Sequence, residues 1–556
     1  MQIVIPMSGF GERFRRAGHQ LPKPLIEIDG KPVICHVIDM FPGEHDFLFI
    51  CNRDHLANPA YRMEAILRAY CPAARIVGIA PHKLGPVHAV RQVGHLIDPA
   101  RPVVVNYCDF TCLWNWPNFK QFVAATGCDG AIPAYKGFHP HSLGSTNYAY
   151  LRESNGWVDE IQEKMPFTAN RMEEYASSGT YYFSSGAVMH EALRQVVDQH
   201  LHTGGEYYVS LAYKAMLAAG KKVTVYPLQH FMQWGTPEDV AEYQGWSAAF
   251  RRLARTQPVP TAPNGALVIP MAGLGQRFSA EGYVDTKPLI AVSGKPMVLQ
   301  AAHDLPSAAH HCFVLRSDMP GHEALAATLR RTYPGALIHD VPGLTEGQAC
   351  SAMLGLDALS AAQVGVDGPV TFGACDNGAL YDTGLFHALL DDPETDIIVW
   401  GARGHANAVR HPQMFGWIDA EAGHIRRVSV KVPLAAPATD PIVLGTFTFK
   451  KAEHFRRAVT RAIERGNRVN GEFYIDSCIN EAIALGLRCR LFEVDAYLSW
   501  GTPNDLRTFE YWQSCFHQWA GHPYQLQCDA RAAADAAEAL AARYQAPPPA
   551  LPGQRA

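Results

Sequence analysis

No stretch of this 556-residue chain reaches the roughly 18 consecutive apolar residues that a membrane-crossing helix needs, so no span is expected. Positive charge is not in excess. Lys and Arg number 48 against 53 Asp and Glu, a formal net charge of −5, and no basic face for nucleic acid is implied. The chain opens directly on a strand-like MQIVIPM, which lacks the basic and apolar regions of a secretory signal. Thirteen cysteines are scattered along it. The nearest to a metal pattern, Cys108 and Cys112, has no second pair to complete a tetrahedral site. These absences leave reduced thiols in a cytoplasmic protein. What is there is 48% hydrophobic and too long for one ordinary core, so two or more folded domains are expected.

An internal repeat is visible by hand. Gly9 matches Gly273, Lys23 matches Lys287 and Gly30-Lys31-Pro32 matches Gly294-Lys295-Pro296, each pair 264 residues apart. Further on, YCDF at Tyr107 aligns with ACDN at Ala374, which pairs Asp109 with Asp376. GGEYYVSLAY at Gly204 aligns with NGEFYIDSCI at Asn470, and QWGTPEDV at Gln233 with SWGTPNDL at Ser499. A nearly constant offset over this length means a tandem duplication. We expect one domain at 1–254, a Pro- and Thr-rich linker at 255–264, a second domain at 265–525 and an Ala- and Pro-rich tail at 526–556, with a helix candidate at its start.

Within each copy short apolar segments such as QIVIPM, DFLFICN, ARIVGIA and RPVVVNYCD alternate with helical patterns. That is an α/β fold with a mostly parallel central sheet in each half. Ligands of such sheets bind at the C-terminal strand ends, where both the glycine loop and Asp109 fall.

Gly9 and Gly11 free the backbone N–H groups to face a phosphate, and Arg13 and Lys23 add positive charge. The dinucleotide pattern wants a third glycine, and Phe14 and Phe278 stand there instead. Asp109 is either a helix cap or a hard oxygen ligand for Mg²⁺. Glu206 either contacts substrate hydroxyls or caps the helix that follows it. His139 and His141 lie in a loop segment, where solvated histidines are the rule.

The ordered set of loop, Lys-Pro, strand-end Asp, Asn-Tyr segment, Glu-Lys, GEYY and WGTPED resembles the sugar-1-phosphate nucleotidyltransferases over nearly all of both halves. The resemblance implies a tandem pair of Rossmann-like, GT-A-like nucleotidyltransferase domains. It also implies a Mg²⁺-dependent reaction of an NTP with a sugar-1-phosphate that yields an NDP-sugar and pyrophosphate, for polysaccharide or related glycan assembly. Carried over residue by residue, Gly9, Gly11 and Arg13 would hold the triphosphate and Lys23 would stabilise charge at the α-phosphate. Asp109 with Gln233 would bind the metal. Asn147, Glu163, Lys164, Gly179 and Glu206 would line the sugar site, and Gly85 would sit near base and ribose. In the second copy the counterparts are Gly273, Gly275, Arg277, Lys287, Gly347, Asp376, Lys431 and Glu472.

Two departures from the family pattern stand out. The second metal position holds Gln233 in one copy and Ser499 in the other, and a hydroxyl is a poor ligand for a hard dication. Val430 replaces Glu163 beside the retained lysine, so the sugar side of the second copy reads as weaker. Three competing functions remain at this level. One is transfer to a non-sugar phosphate such as phosphocholine. Another is a nucleotide-sugar-dependent glycosyltransferase, which would carry a D-x-D pair that YCDF and ACDN lack. The third is a non-catalytic sensor. The sequence leaves the NTP, the sugar and the oligomeric state open.

Overall fold

A computed structural model describes residues 1–255, 264–365, 367–535, 537–543 and 551. The chain divides into two compact units, Met1–Gln244 and Gly245–Tyr544. The division falls inside the helix Pro237–Leu253, upstream of the linker expected at 255–264, whose interior lies outside the described residues.

In the first unit ten strands form one sheet in the order 75–79, 47–52, 2–7, 103–106, 180–183, 130–135, 223–228, 157–163, 149–154 and 175–177. Three of them, Thr180–Phe183, Trp157–Glu163 and Tyr175–Ser177, run against the rest. The parallel group around Gln2–Met7 is buried on both faces, which is why Ile3, Val4 and Ile5 follow one another without a polar residue. Burying each of these side chains contributes about 1.5–3 kcal/mol.

The second unit repeats the order with nine strands: 337–341, 310–316, 266–270, 370–372, 442–449, 397–402, 489–493, 424–430 and 416–421. Its one long strand Ile442–Phe449 takes the place of the first unit's Tyr175–Ser177 and Thr180–Phe183. Small devices recur as well. The tight turns at Asp29-Gly30 and Ser293-Gly294 have positive φ at both residues, as a two-residue hairpin of this hand requires.

The units differ behind the sheet. In the first, Trp114, Trp116, Phe41 and Phe119 pack together. The residues equivalent to the two tryptophans are Tyr381 and Thr383, and they line a cavity of about 660 Å³. The chain beyond Gln525, which the sequence assigns to a separate tail, folds onto this unit. Arg531 Nε donates to Asp304 Oδ1 at 2.7 Å with both side chains buried, and Ala533 N–H donates to Ser293 O at 2.9 Å. A helix, Ala537–Arg543, follows; residues 544–550 and 552–556 lie outside the described residues.

Candidate active site

Strand Gln2–Met7 delivers the chain to Ser8–Gly11 at its C-terminal end. Gly11 has φ 64°, a conformation in which a side chain is strained, and it opens the short helix Glu12–Arg16. Lys23 begins the turn Lys23–Leu25 directly below, and its Nζ donates to Asp109 Oδ2 at 2.7 Å. Burial pulls the Lys23 pKa down, but the charge of Asp109, with a smaller contribution from Cys108, outweighs it and holds the ammonium above its usual value. Asp109 stands just beyond strand Val103–Asn106. Its carbonyl accepts from Trp234 N–H at 2.9 Å, which ties it to the strand His230–Gln233. Gln233 pairs with Phe110 across the small ladder, so it flanks Asp109. A Cβ on Gly235 would lie 2.6 Å from Gln233 Nε2 and 3.0 Å from Asp109 Oδ2, so this glycine is what allows the two side chains to converge.

A cavity of about 290 Å³ gathers Gly9, Gly11, Lys23, Gly85, Asp109 and Glu206. Its lining also includes Tyr107 and Tyr208, which motif reading missed because aromatic side chains carry no chemical signature in sequence. Gly85 has a structural reason of its own. Its φ is 86°, and a Cβ there would meet the backbone of Tyr207 at 2.7 Å. The two segments cross through hydrogen bonds from Tyr207 N–H to Leu84 O and from Val87 N–H to Tyr207 O. Arg13, Asn147, Glu163, Lys164, Gly179 and Gln233 are not part of this lining. Arg13 is exposed on the first turn of its helix, and its charge reaches Lys23 and Tyr208. Asn147 Nδ2 donates to Ser145 Oγ at 2.6 Å. Gly179, φ 98°, gives its carbonyl to Tyr107 N–H at 3.0 Å, and its missing side chain leaves room for the Tyr107 and Phe110 rings.

Lys164 meets Glu206 through Tyr208. Lys164 has φ 58° and its Nζ donates to Tyr208 Oη at 2.5 Å, while Tyr208 Oη donates to Glu206 Oε2. Burial first, then the Glu206 carboxylate, pushes the Tyr208 phenol well up. Ser210 Oγ donates to Glu163 Oε2 at 2.5 Å. Burial pushes the Glu163 carboxyl up to about 7, against the Ser210 hydrogen bond and the Lys164 charge, with Glu206 adding to the rise. His139 and His141, expected to be solvated, are instead buried among Tyr135, Tyr148 and Phe231. Burial drives His139 down to about 4, which fits a neutral core side chain.

The second unit repeats the nucleotide side. Gly275 has φ 65°, and Lys287 Nζ donates to Asp376 Oδ2. A Cβ on Gly347 would meet Phe473 N and O at 2.6 Å. Ser499 lies opposite Asn377, beside Asp376. Lys431 has φ 61°, and its Nζ donates to Met414 O at 2.6 Å. Glu472 hydrogen-bonds Tyr474 and contributes charge near Lys431.

No family model matches the chain. It is 35% identical over 225 residues to the bifunctional protein GlmU of Burkholderia orbicola, 40% of this chain and 46% of that one. To GlmU of Paraburkholderia phymatum it is 29% identical over 174 residues, 31% and 35% of the two chains. The chain thus spans less than half the length of these curated relatives. The crystallised nucleoside-diphosphate-sugar pyrophosphorylase of Vibrio cholerae RC9 aligns at 20% identity and a TM-score of 0.37, covering 44% of this chain and 98% of that one. The two units share one α/β architecture, each with a glycine loop and a Lys–Asp pair at the strand ends. Over part of its length the chain is therefore similar to the GlmU proteins.

Proposed function

We propose that the first unit transfers a nucleotidyl group from an NTP to a sugar-1-phosphate, releasing pyrophosphate and leaving an NDP-sugar. The observation that carries this is the Lys23–Asp109 pair at the mouth of the glycine loop, in the same cavity as Glu206 and Tyr208, whose hydroxyl links Glu206 to Lys164. The loop amides and Arg13 bind and orient the triphosphate. Lys23, held charged by its surroundings, neutralises the α-phosphate. Lys164 and Glu163 hold the acceptor so that its phosphate oxygen lies in line with the α-phosphorus. The new bond forms at that oxygen as the bond to the β-phosphate oxygen breaks. An acceptor phosphate is ionised at neutral pH, so no side chain has to remove a proton.

Asp109 and Gln233 would hold Mg²⁺. A carboxylate beside a carboxamide, with substrate phosphates completing the shell, suits this ion, which is rarely caged by protein alone. Among the described residues no group of three or more His, Cys, Asp or Glu side chains is arranged for a metal. When bound, the ion supplies charge neutralisation between the phosphates. The product is an activated sugar for a glycosyl transfer into polysaccharide or a related glycan. Thirteen free cysteines support a cytoplasmic setting, and no described helix is long and apolar enough to cross a membrane.

The test is pyrophosphate release from each NTP with a panel of sugar-1-phosphates, with Lys23→Ala and Asp109→Ala beside the wild type. Each substitution is expected to lower the first unit's turnover about a hundredfold or more. If no sugar-1-phosphate yields pyrophosphate while phosphocholine does, the acceptor is misassigned. Turnover unaffected by either substitution removes the site.

A further inference from the structure

The sequence left the second unit with an apparently deficient acceptor side, because Val430 stands where the first unit has Glu163. The fold shows that three linked positions have changed there, not one. In the first unit Ala149 and Glu163 face each other across adjacent strands, and Ser210, on the helix above, donates to Glu163. In the second unit the equivalent strand pair is Gly416 and Val430, and the equivalent helix residue is Asp476. The carboxylate has moved from the strand to the helix. The loss of the Cβ at Gly416 belongs to the same change, since a Cβ there would overlap Asp476 Oδ2.

Nothing about a scaffold needs this arrangement. A glycine in a strand and a carboxylate held partly buried beside it both weaken a fold. An apolar residue at the helix position, matching Val430, would be the cheaper filling. Part of the acceptor side is kept, although Met414 stands where the first unit has Asn147 and its carbonyl takes the Lys431 Nζ hydrogen bond. Lys431 holds the left-handed conformation of Lys164, and its backbone N–H donates to Phe415 O as that of Lys164 does to Tyr148 O. Tyr474 and Glu472 repeat Tyr208 and Glu206. Asp476 and Lys431 lie close enough to feel each other's charge, while burial raises the Asp476 carboxyl to about 6 and lowers the Lys431 ammonium.

We propose that the second unit has a working acceptor pocket for a hydroxylated phosphate ester, in which Asp476 replaces Glu163 as the hydroxyl-binding carboxylate, so that the two units select different acceptors. The proposal rests on the reading of Glu163 and Lys164 as acceptor ligands. Because the carboxylate of Asp476 arrives from the helix wall over Gly416, it meets a different hydroxyl. The strand wall at Val430 tolerates an apolar edge where the first pocket demands a polar one. The acceptor class is therefore a sugar-1-phosphate with a less polar edge, a deoxy sugar in preference to a fully hydroxylated one.

The experiment uses the full chain carrying Lys164→Ala, which disables the first pocket. Titration calorimetry follows binding of glucose 1-phosphate, N-acetylglucosamine 1-phosphate, fucose 1-phosphate and phosphocholine in the presence of α,β-methylene analogues of the NTPs. At least one sugar phosphate is expected to bind, fucose 1-phosphate more tightly than glucose 1-phosphate, and Asp476→Asn should weaken it tenfold or more. The combined change Gly416→Ala, Val430→Glu and Asp476→Ser rebuilds the first unit's arrangement. It should restore binding with the preference moved toward glucose 1-phosphate, a result a merely structural Asp476 would not give, and it replaces Asp476→Asn should that variant fail to fold. The proposal is overturned if no sugar phosphate binds a chain with a wild-type melting curve, or if one binds with a Kd that Asp476→Asn leaves unchanged. Failure of the underlying reading registers separately, as pyrophosphate release by the otherwise wild-type chain that Glu163→Gln leaves unaltered.

Discussion

At the scale of single residues, Glu163 links stability and function with opposite signs. Its carboxyl titrates near 7 in the folded chain because it is buried, while the Ser210 hydrogen bond and the Lys164 charge only partly counter that cost. A carboxyl whose folded pKa lies above its ordinary 4.5 favours folding fully below that value, and the contribution is lost as pH rises through 7. Glu163→Gln removes the titration. The variant's melting temperature relative to wild type should therefore be higher at pH 8 than at pH 5 in the ligand-free chain, measured by scanning calorimetry. Binding runs the other way, because sugar hydroxyls donate to the ionised form. The acceptor KM of the first unit is expected to fall as pH rises from 6 to 8 in the wild type, and to be higher and flatter in Glu163→Gln. Parallel KM profiles for the two proteins would remove Glu163 from the acceptor site.

Among the elements, what was legible in the sequence is what is fixed locally. The glycine loop, the Lys-Pro turn and the strand-end Asp could be read because each demands a residue type at its own position: positive φ at Gly11, a cation below the loop, a carboxylate at a strand end. The repeat carried the fold, since the strand order of one unit returns in the other. The acceptor side was only half legible. Val430 looked like a loss because its compensation, Gly416 and Asp476, lies on another strand and a helix that meet only when the chain is folded. The docking of the tail was not legible for a similar reason, although its helix candidate returns as Ala537–Arg543, because Ala-rich composition gives no hint of the buried partner of Arg531. That pair makes its own prediction. Arg531→Ala leaves the buried Asp304 with only the His303 ring beside it and should cost the second unit about 3–5 kcal/mol in urea unfolding, whereas the double change Arg531→Met with Asp304→Leu should recover most of it. Equal losses in the two variants would mean that the Arg531 segment stabilises by packing and not through the ion pair.

For the molecule as a whole, the duplication matters through what each copy has kept. Both units retain a left-handed glycine, a half-buried lysine held charged by a strand-end aspartate, and a glycine whose missing side chain lets the GEYY or GEFY segment cross. A loop kept only for shape would not need a charged lysine in poorly hydrated surroundings, because burial disfavours the ammonium and only the aspartate rescues it. Two nucleotides should therefore bind per chain, counted by equilibrium dialysis with labelled NTP at saturation. Lys287→Ala should reduce the count to one while leaving the first unit's pyrophosphate release in place, and Lys23→Ala should abolish that release while one nucleotide still binds. The metal dependence should differ between the two sites. Asp109 is flanked by the carboxamide of Gln233 and Asp376 by the hydroxyl of Ser499, a weaker partner for a hard dication, so EDTA should weaken binding more at the first site than at the second. A stoichiometry of one in the wild type, unchanged by Lys287→Ala, would mean that the second loop has kept its charges without a nucleotide to hold, and the pocket around Asp476 would then have to bind its acceptor alone.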